Sequence, residues 1–151
     1  MATMRLPVDS RELLKLFNVN RVRYLLIGGY AVTYHGYPRS TAVTDFWVAQ
    51  NLRNAERVIA AIDAFGFGGT GLITDLFMVE AGMIRFGRAP NRIELLTQLS
   101  GVDFDECYEN RLTRTIDRIK VDIISLPDLR KNKQASGRHK DLADLENLPI
   151  G

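Results

Sequence analysis

Cysteine is nearly absent from this chain, and long apolar runs are missing altogether. Cys107 is the one cysteine, so no disulfide can form within the chain, and a reducing compartment is compatible with it. We expect a buried thiol. No apolar run approaches the length of about 20 residues that spans a bilayer, and the N-terminal stretch lacks the apolar centre of a signal peptide. The sequence therefore predicts a cytoplasmic protein without membrane contact.

A strong excess of either charge is also missing. The 151 residues carry 20 Lys and Arg against 18 Asp and Glu, and a net charge of +2 does not by itself predict a nucleic-acid partner. Nine of those 20 basic residues lie between Arg111 and Lys140, so the basic character is local. A hydrophobic content of 46% is typical of globular proteins. The length fits one domain spanning residues 1–151.

What the sequence does contain is an ordered set of signals in residues 24–48. An apolar run, YLLI, predicts a short buried strand that ends at Gly28 and Gly29. A short helix follows, then the polar segment Arg39-Ser40-Thr41, then a strand that opens on Asp45. Such a unit brings backbone N–H groups, a guanidinium and a carboxylate to one edge of a sheet. These are the groups that hold a metal-bound polyphosphate.

The remaining elements predict an α/β (α+β) domain. Strands are expected at 83–87 and 92–96, joined as a hairpin through 88–91, and at 112–116 and 119–124. Helices are expected to begin at Asp9 or Ser10, at Asn51 or Asn54, at Asp103 and at Ser125, with a last helix carrying Leu142 and Leu145. The glycine-rich stretch 67–71 is interpreted as a flexible loop, because no Lys-Ser or Lys-Thr follows it as in a P-loop.

Two carboxylates stand in apolar strands. Glu94 lies between Ile93 and Leu95, and alternation places it on the face opposite both. Asp45 is accounted for equally well as a metal ligand and as a strand-start cap bonded to backbone N–H groups.

At these residues the chain resembles the polymerase-β-like minimal nucleotidyltransferases, and more closely the AbiEii-type toxins of toxin–antitoxin systems. In that family a double glycine lines the phosphates, two aspartates stand one residue apart on a strand, and a third carboxylate lies on a neighbouring strand. The resemblance implies a nucleotidyltransferase fold, a mixed β-sheet flanked by helices. It also implies that Asp45 and Glu94 hold Mg²⁺ or Mn²⁺.

The resemblance further assigns residues to a nucleoside triphosphate. Lys133 matches the lysine of a helix in the family, and the segment from Gly137 to Asp141 matches the Gly-Arg-x-Lys-Asp turn that follows that helix. An exposed basic helix end accounts equally well for these last residues. The implied nucleotide-binding set is Gly28, Gly29, Arg39, Ser40, Thr41, Lys133, Arg138 and Lys140.

Val43 departs from the family pattern. It occupies the position of the first aspartate and offers no metal ligand, so we expect strongly impaired transfer. The resemblance implies an RNA acceptor, including tRNA ends, or a protein acceptor, and allows an antitoxin partner. A non-catalytic nucleotide-binding module remains the alternative. An RNA-binding module built on residues 111–140 is a weaker one, since few aromatics lie among those charges.

Overall fold

A computed structural model gives the fold and describes residues 4–67, 77–78, 82–88 and 91–150. The strands are β1 (Tyr24–Ile27), β2 (Val43–Val48), β3 (Met83–Arg88), β4 (Asn91–Leu96), β5 (Leu112–Ile116) and β6 (Ile119–Ile123). The helices are α1 (Val8–Val19), α2 (Gly28–Tyr34), α3 (Leu52–Ile62), α4 (Phe104–Glu109), α5 (Leu126–Ser136) and α6 (His139–Asn147). A π-helical turn, Asp63–Phe67, follows α3.

The six strands form one mixed sheet in the order β3-β4-β2-β1-β6-β5. Strands β2 and β4 run parallel, as do β1 and β6, while the other three neighbouring pairs are antiparallel. Because β1 and β2 are antiparallel, the end of β1 lies beside the start of β2, and Ile27 is in register with Asp45. The predicted fold class, a mixed sheet with helices, is confirmed.

The two faces of the sheet have different surroundings. On one face Phe46 and Tyr24 meet Phe17 of α1, with ring centroids 5.4 to 5.8 Å apart. Asp45, one residue along the strand from Phe46, therefore points to the other face. There Trp47 packs edge-on against Phe104 of α4. The buried core on the first face supports the strands that carry the polar groups of the second.

Most predicted helix starts agree with the structure. Asn51, Asp103 and Ser125 each cap a helix by accepting a hydrogen bond from a backbone N–H three residues on. The expected cap of α1 is wrong. That helix begins at Val8 after Pro7, without a side-chain cap, and the Ser10 hydroxyl instead bonds Thr44 of β2 at 2.6 Å inside the core.

The start of β2 differs from the prediction, and parts of two predicted loops lie outside the described residues. Strand β2 begins at Val43 rather than Asp45, because pairing with β4 already starts at Val43. Residues 68–71 of the expected glycine-rich loop and residues 89–90 of the expected hairpin turn lie outside the described residues. Within the described parts of the chain, none of the helices has the length and apolarity to cross a bilayer.

Candidate functional site

Asp45 and Glu94 stand side by side on neighbouring parallel strands. They are in register across β2 and β4, and alternation puts both on the face opposite α1. The convergence of these two carboxylates, expected from the resemblance, is therefore present. The side chain of Glu94 is 14% exposed, so each group sits at the margin of the core rather than in bulk water.

The glycine pair forms the wall next to Asp45. Gly28 has a φ of +69°, a conformation that favours glycine, and an added Cβ would collide with the Asp45 carboxylate. An added Cβ at Gly29 would stand only 2.8 Å from the Cβ and Oγ1 of Thr41. A side chain at either position would therefore collide with Asp45 or Thr41. Because both residues are glycine, backbone atoms rather than side chains line this side of the carboxylate.

The pKa values of the two carboxyl groups are shifted in opposite directions. Burial, a hydrogen bond with Glu94 and the negative charge of Glu94 raise the pKa of Asp45 to about 7. Burial pushes the pKa of Glu94 upward as well, but hydrogen bonds from Asp45 and Arg85 outweigh it and leave that pKa below its ordinary value. Of the two, Asp45 is therefore the carboxyl group that takes up a proton first as the pH falls.

Basic side chains act on this pair from a distance. The charges of Lys140 and Lys133 lower the pKa of Asp45, and that of Lys140 also lowers the pKa of Glu94. The positive charges of these two predicted lysines therefore favour the ionised form of the carboxylates, although the lysines lie about 40 to 100 residues away along the chain.

Val43 lies on the same face as Asp45, two residues earlier on β2, and is in register with Arg92 of β4. It brings no oxygen to the site. Among the described residues no group of three His, Cys, Asp or Glu side chains is placed to hold a metal ion. Two adjacent carboxylates suit one Mg²⁺ whose other ligands are waters and nucleotide phosphates. They do not suit a pair of cations.

Three of the predicted basic residues, Arg39, Lys133 and Arg138, belong to one ion-pair network. Lys133 of α5 is buried, and its Nζ lies 3.1 Å from Asp141 and 3.1 Å from Asp144 of α6. Arg39 donates to both oxygens of Asp144 at 2.8 and 2.9 Å. Arg138 donates to Asp141 at 2.8 Å. We call these five residues the α5–α6 ion network.

This network changes the interpretation of its three basic members. The resemblance assigns Arg39, Lys133 and Arg138 to the phosphates. In the structure all three form ion pairs with the buried carboxylates of Asp141 and Asp144. Arg138 keeps 62% of its side chain exposed, whereas Lys133 keeps 6%. Arg138 is thus the member most open to an added anion, and the buried Lys133 primarily locks α6 onto α5.

Of the remaining predicted residues, Ser40 and Thr41 precede β2 and Lys140 lies on α6. Ser40 and Lys140 are exposed, and Thr41 is half-buried, with its Oγ1 donating to the Val43 carbonyl at 3.0 Å. Thr41 therefore fixes the backbone that leads into the strand. His35, just after α2, donates from Nε2 to the Ile124 carbonyl at 2.7 Å and links the end of α2 to the end of β6.

Sequence reasoning missed Asp144 and Arg85. Asp144 stands three residues after Asp141 on α6, so the two share a helix face, and both are buried. Arg85 is paired with Glu94 across the hairpin of β3 and β4. Its Nε donates to Glu94 Oε1 at 2.6 Å, and its Nη2 contacts the same oxygen.

Comparison with known proteins identifies the fold. No family model and no curated protein sequence matches the chain. A crystal structure from Thermotoga maritima, described as that of a candidate nucleotidyltransferase, superposes with a TM-score of 0.61 over 91% of this chain and 88% of the other, at 12% sequence identity. The chain thus has a nucleotidyltransferase-like fold.

Proposed function

We propose that this chain is a nucleotidyltransferase scaffold that binds a nucleoside triphosphate over the face carrying Gly28, Asp45 and Glu94. The observation that carries the proposal is the in-register pair of carboxylates on parallel strands, beside a glycine wall, in a nucleotidyltransferase-like fold. Nucleotidyl transfer requires oxygen ligands at such an edge. A fold likeness alone would not carry it, since one fold supports many functions.

The reaction proposed is transfer of a nucleoside monophosphate. An acceptor hydroxyl attacks the α-phosphorus, a new O–P bond forms, the α–β anhydride bond breaks, and pyrophosphate leaves. Asp45 and Glu94 would hold one Mg²⁺ or Mn²⁺, whose charge would offset that of the phosphates. Gly28 and Gly29 would admit the phosphates close to the backbone, with Ser40, Thr41 and Lys140 at the rim and Arg39, Lys133 and Arg138 behind them.

Val43 makes transfer by this chain weak. In a polymerase-type site two cations take part in catalysis, and a carboxylate bridges them. In this proposal the position of that carboxylate is occupied by Val43, whose apolar side chain binds no cation. The acceptor in this proposal is RNA, including tRNA ends, or a protein. The biological setting is a toxin–antitoxin or phage-defence system with a partner antitoxin.

The decisive experiment restores the carboxylate. Val43→Asp should raise Mg²⁺-dependent transfer from labelled triphosphates to total RNA at least a hundredfold, and Val43→Asn, equal in size but uncharged, should not. Cell-free expression avoids selection against an active toxin. Unchanged transfer in Val43→Asp would contradict the role assigned to position 43, and absence of triphosphate binding in all three proteins would refute the scaffold itself.

A second candidate is a nucleotide-binding module without catalysis. It is favoured by Arg85, which already engages the Glu94 oxygen that a cation would use. This candidate predicts triphosphate binding with no transfer even after Val43→Asp. The same set of variants therefore separates the two functions.

A further inference from the structure

Arg85, Glu94 and Asp45 form a row across three neighbouring strands. Both register pairs are direct, Arg85 with Glu94 and Glu94 with Asp45. The guanidinium reaches a single carboxylate oxygen with two of its nitrogens, Nε and Nη2. Two N–H groups directed at one oxygen use both of its lone pairs. That oxygen has no lone pair left for another partner.

The surroundings make this contact strong without making it permanent. Glu94 is 14% exposed, so water screens its side of the pair little, whereas Arg85 is 51% exposed and its side chain can move into solvent.

A second guanidinium lies on the same face of the sheet. Arg92 is two residues before Glu94 on β4, in register with Val43 of β2, and is exposed. Among the described residues, the ion pair of Glu94 involves Arg85 and not Arg92. The face therefore carries two carboxylates and two guanidinium groups.

We propose that Arg85 is a built-in competitor for Glu94: its guanidinium holds Oε1 in the metal-free protein, and a divalent cation can use that oxygen only when Arg85 has released it. The inference rests on the proposed function, in which Asp45 and Glu94 are the cation ligands. The inference adds Arg85 as a residue that sets the cation concentration at which the site becomes occupied. A divalent ion and a guanidinium repel each other at contact distance, so both cannot share the same oxygen.

The test measures cation binding without nucleotide and without turnover. Metal-free protein is titrated with MnCl₂, and free Mn²⁺ is followed by its electron paramagnetic resonance signal at constant pH and ionic strength. Arg85→Gln should bind Mn²⁺ at least tenfold more tightly than the unaltered chain. Arg92→Gln is the matched control, because it removes the same charge from the same face without touching Glu94, and it should change the affinity less than threefold. The Arg85→Gln gain should vanish in an Arg85→Gln/Glu94→Gln double variant.

Three results would overturn the inference. Equal gains from Arg85→Gln and Arg92→Gln would mean that only the overall charge of the face matters. A gain that persists without Glu94 would mean that Arg85 acts elsewhere. Absence of Mn²⁺ binding to Arg85→Gln at millimolar concentrations would remove the cation from this site.

Parallel titrations with a nucleoside triphosphate separate failure of this inference from failure of the proposed function. Triphosphate binding with no Arg85-dependent Mn²⁺ effect overturns the competition and leaves the scaffold standing. Loss of both overturns both. Circular dichroism melts of each variant confirm that the compared proteins are folded.

Discussion

Removing the charge of Asp144 should destabilise the fold strongly. Asp144 is buried and forms ion pairs with Lys133 at 3.1 Å and with Arg39 at 2.8 and 2.9 Å. Asp144→Asn keeps the size of the side chain and one acceptor oxygen. It leaves Lys133, only 6% exposed, with Asp141 alone, and that carboxylate is shared with Arg138. A buried lysine then has too little negative charge around it.

The magnitude follows from burial. Breaking a buried ion pair by removing one partner costs about 3 to 5 kcal/mol, and the amide that remains reduces this to about 3 kcal/mol. Arg39 adds little, because it is 25% exposed and water replaces its partner. A loss of about 3 kcal/mol is a large share of the 5 to 15 kcal/mol by which such domains are stable.

Urea unfolding followed by far-ultraviolet circular dichroism measures this loss, provided that the m-value is unchanged. The control is Glu12→Gln, which breaks the surface pair between Glu12 and Lys15, whose side chains are 53% and 56% exposed. We expect it to cost less than about 0.5 kcal/mol. Lys133→Met combined with Asp144→Asn should lose clearly less than the sum of the two single losses, since the stranded charge is gone. A loss from Asp144→Asn no larger than that of Glu12→Gln would refute the reasoning.

Two further predictions concern protonation. Burial raises the pKa of Asp141, but hydrogen bonds from Arg138, Ser136 and Lys133 outweigh it and leave that pKa well below its ordinary value. The stabilisation is therefore complete above the ordinary carboxyl pKa of about 4 and is lost as the pH falls below it. Stability should drop more steeply between about pH 5 and pH 3 in the unaltered chain than in Asp141→Asn, and parallel curves of urea midpoint against pH would contradict this. Burial raises the pKa of the Cys107 thiol to about 12, so the folded protein should react with a disulfide reagent at about pH 8 at least a hundredfold more slowly than in guanidinium, and complete labelling of the folded protein within minutes would contradict it.

Much of the fold could be predicted because its signals are local. Caps such as Asn51, Asp103 and Ser125 act within three residues of their own position, so the sequence alone is enough to find them. The cap expected at Ser10 failed because its hydroxyl has a tertiary partner, Thr44, which lies 34 residues away. Local propensity gives no information on such a partner.

The candidate site could be predicted in part. Asp45 and Glu94 stand out in the sequence because they lie in apolar strands and match the family pattern, while their register depends on the parallel pairing of β2 with β4. The partners of Lys133 depend on how α5 packs against α6, which periodicity does not specify. Arg85 was within reach: once Arg88 pairs with Asn91 in the hairpin, counting back three residues on one strand and forward three on the other brings Arg85 to Glu94.

The charges on the site face link the fold to the proposed weakness of its chemistry. A face with three carboxylates in contact would be costly to form without cations, because buried like charges repel and lose hydration. On this face Val43 is apolar, burial and the charge of Glu94 raise the pKa of Asp45, and Arg85 pairs with Glu94. The negative charge of this face is therefore compensated in part by the protein's own groups. The same three features leave a cation few free oxygens, so the compensation of charge within the protein and the weak cation binding proposed for this face have one physical cause.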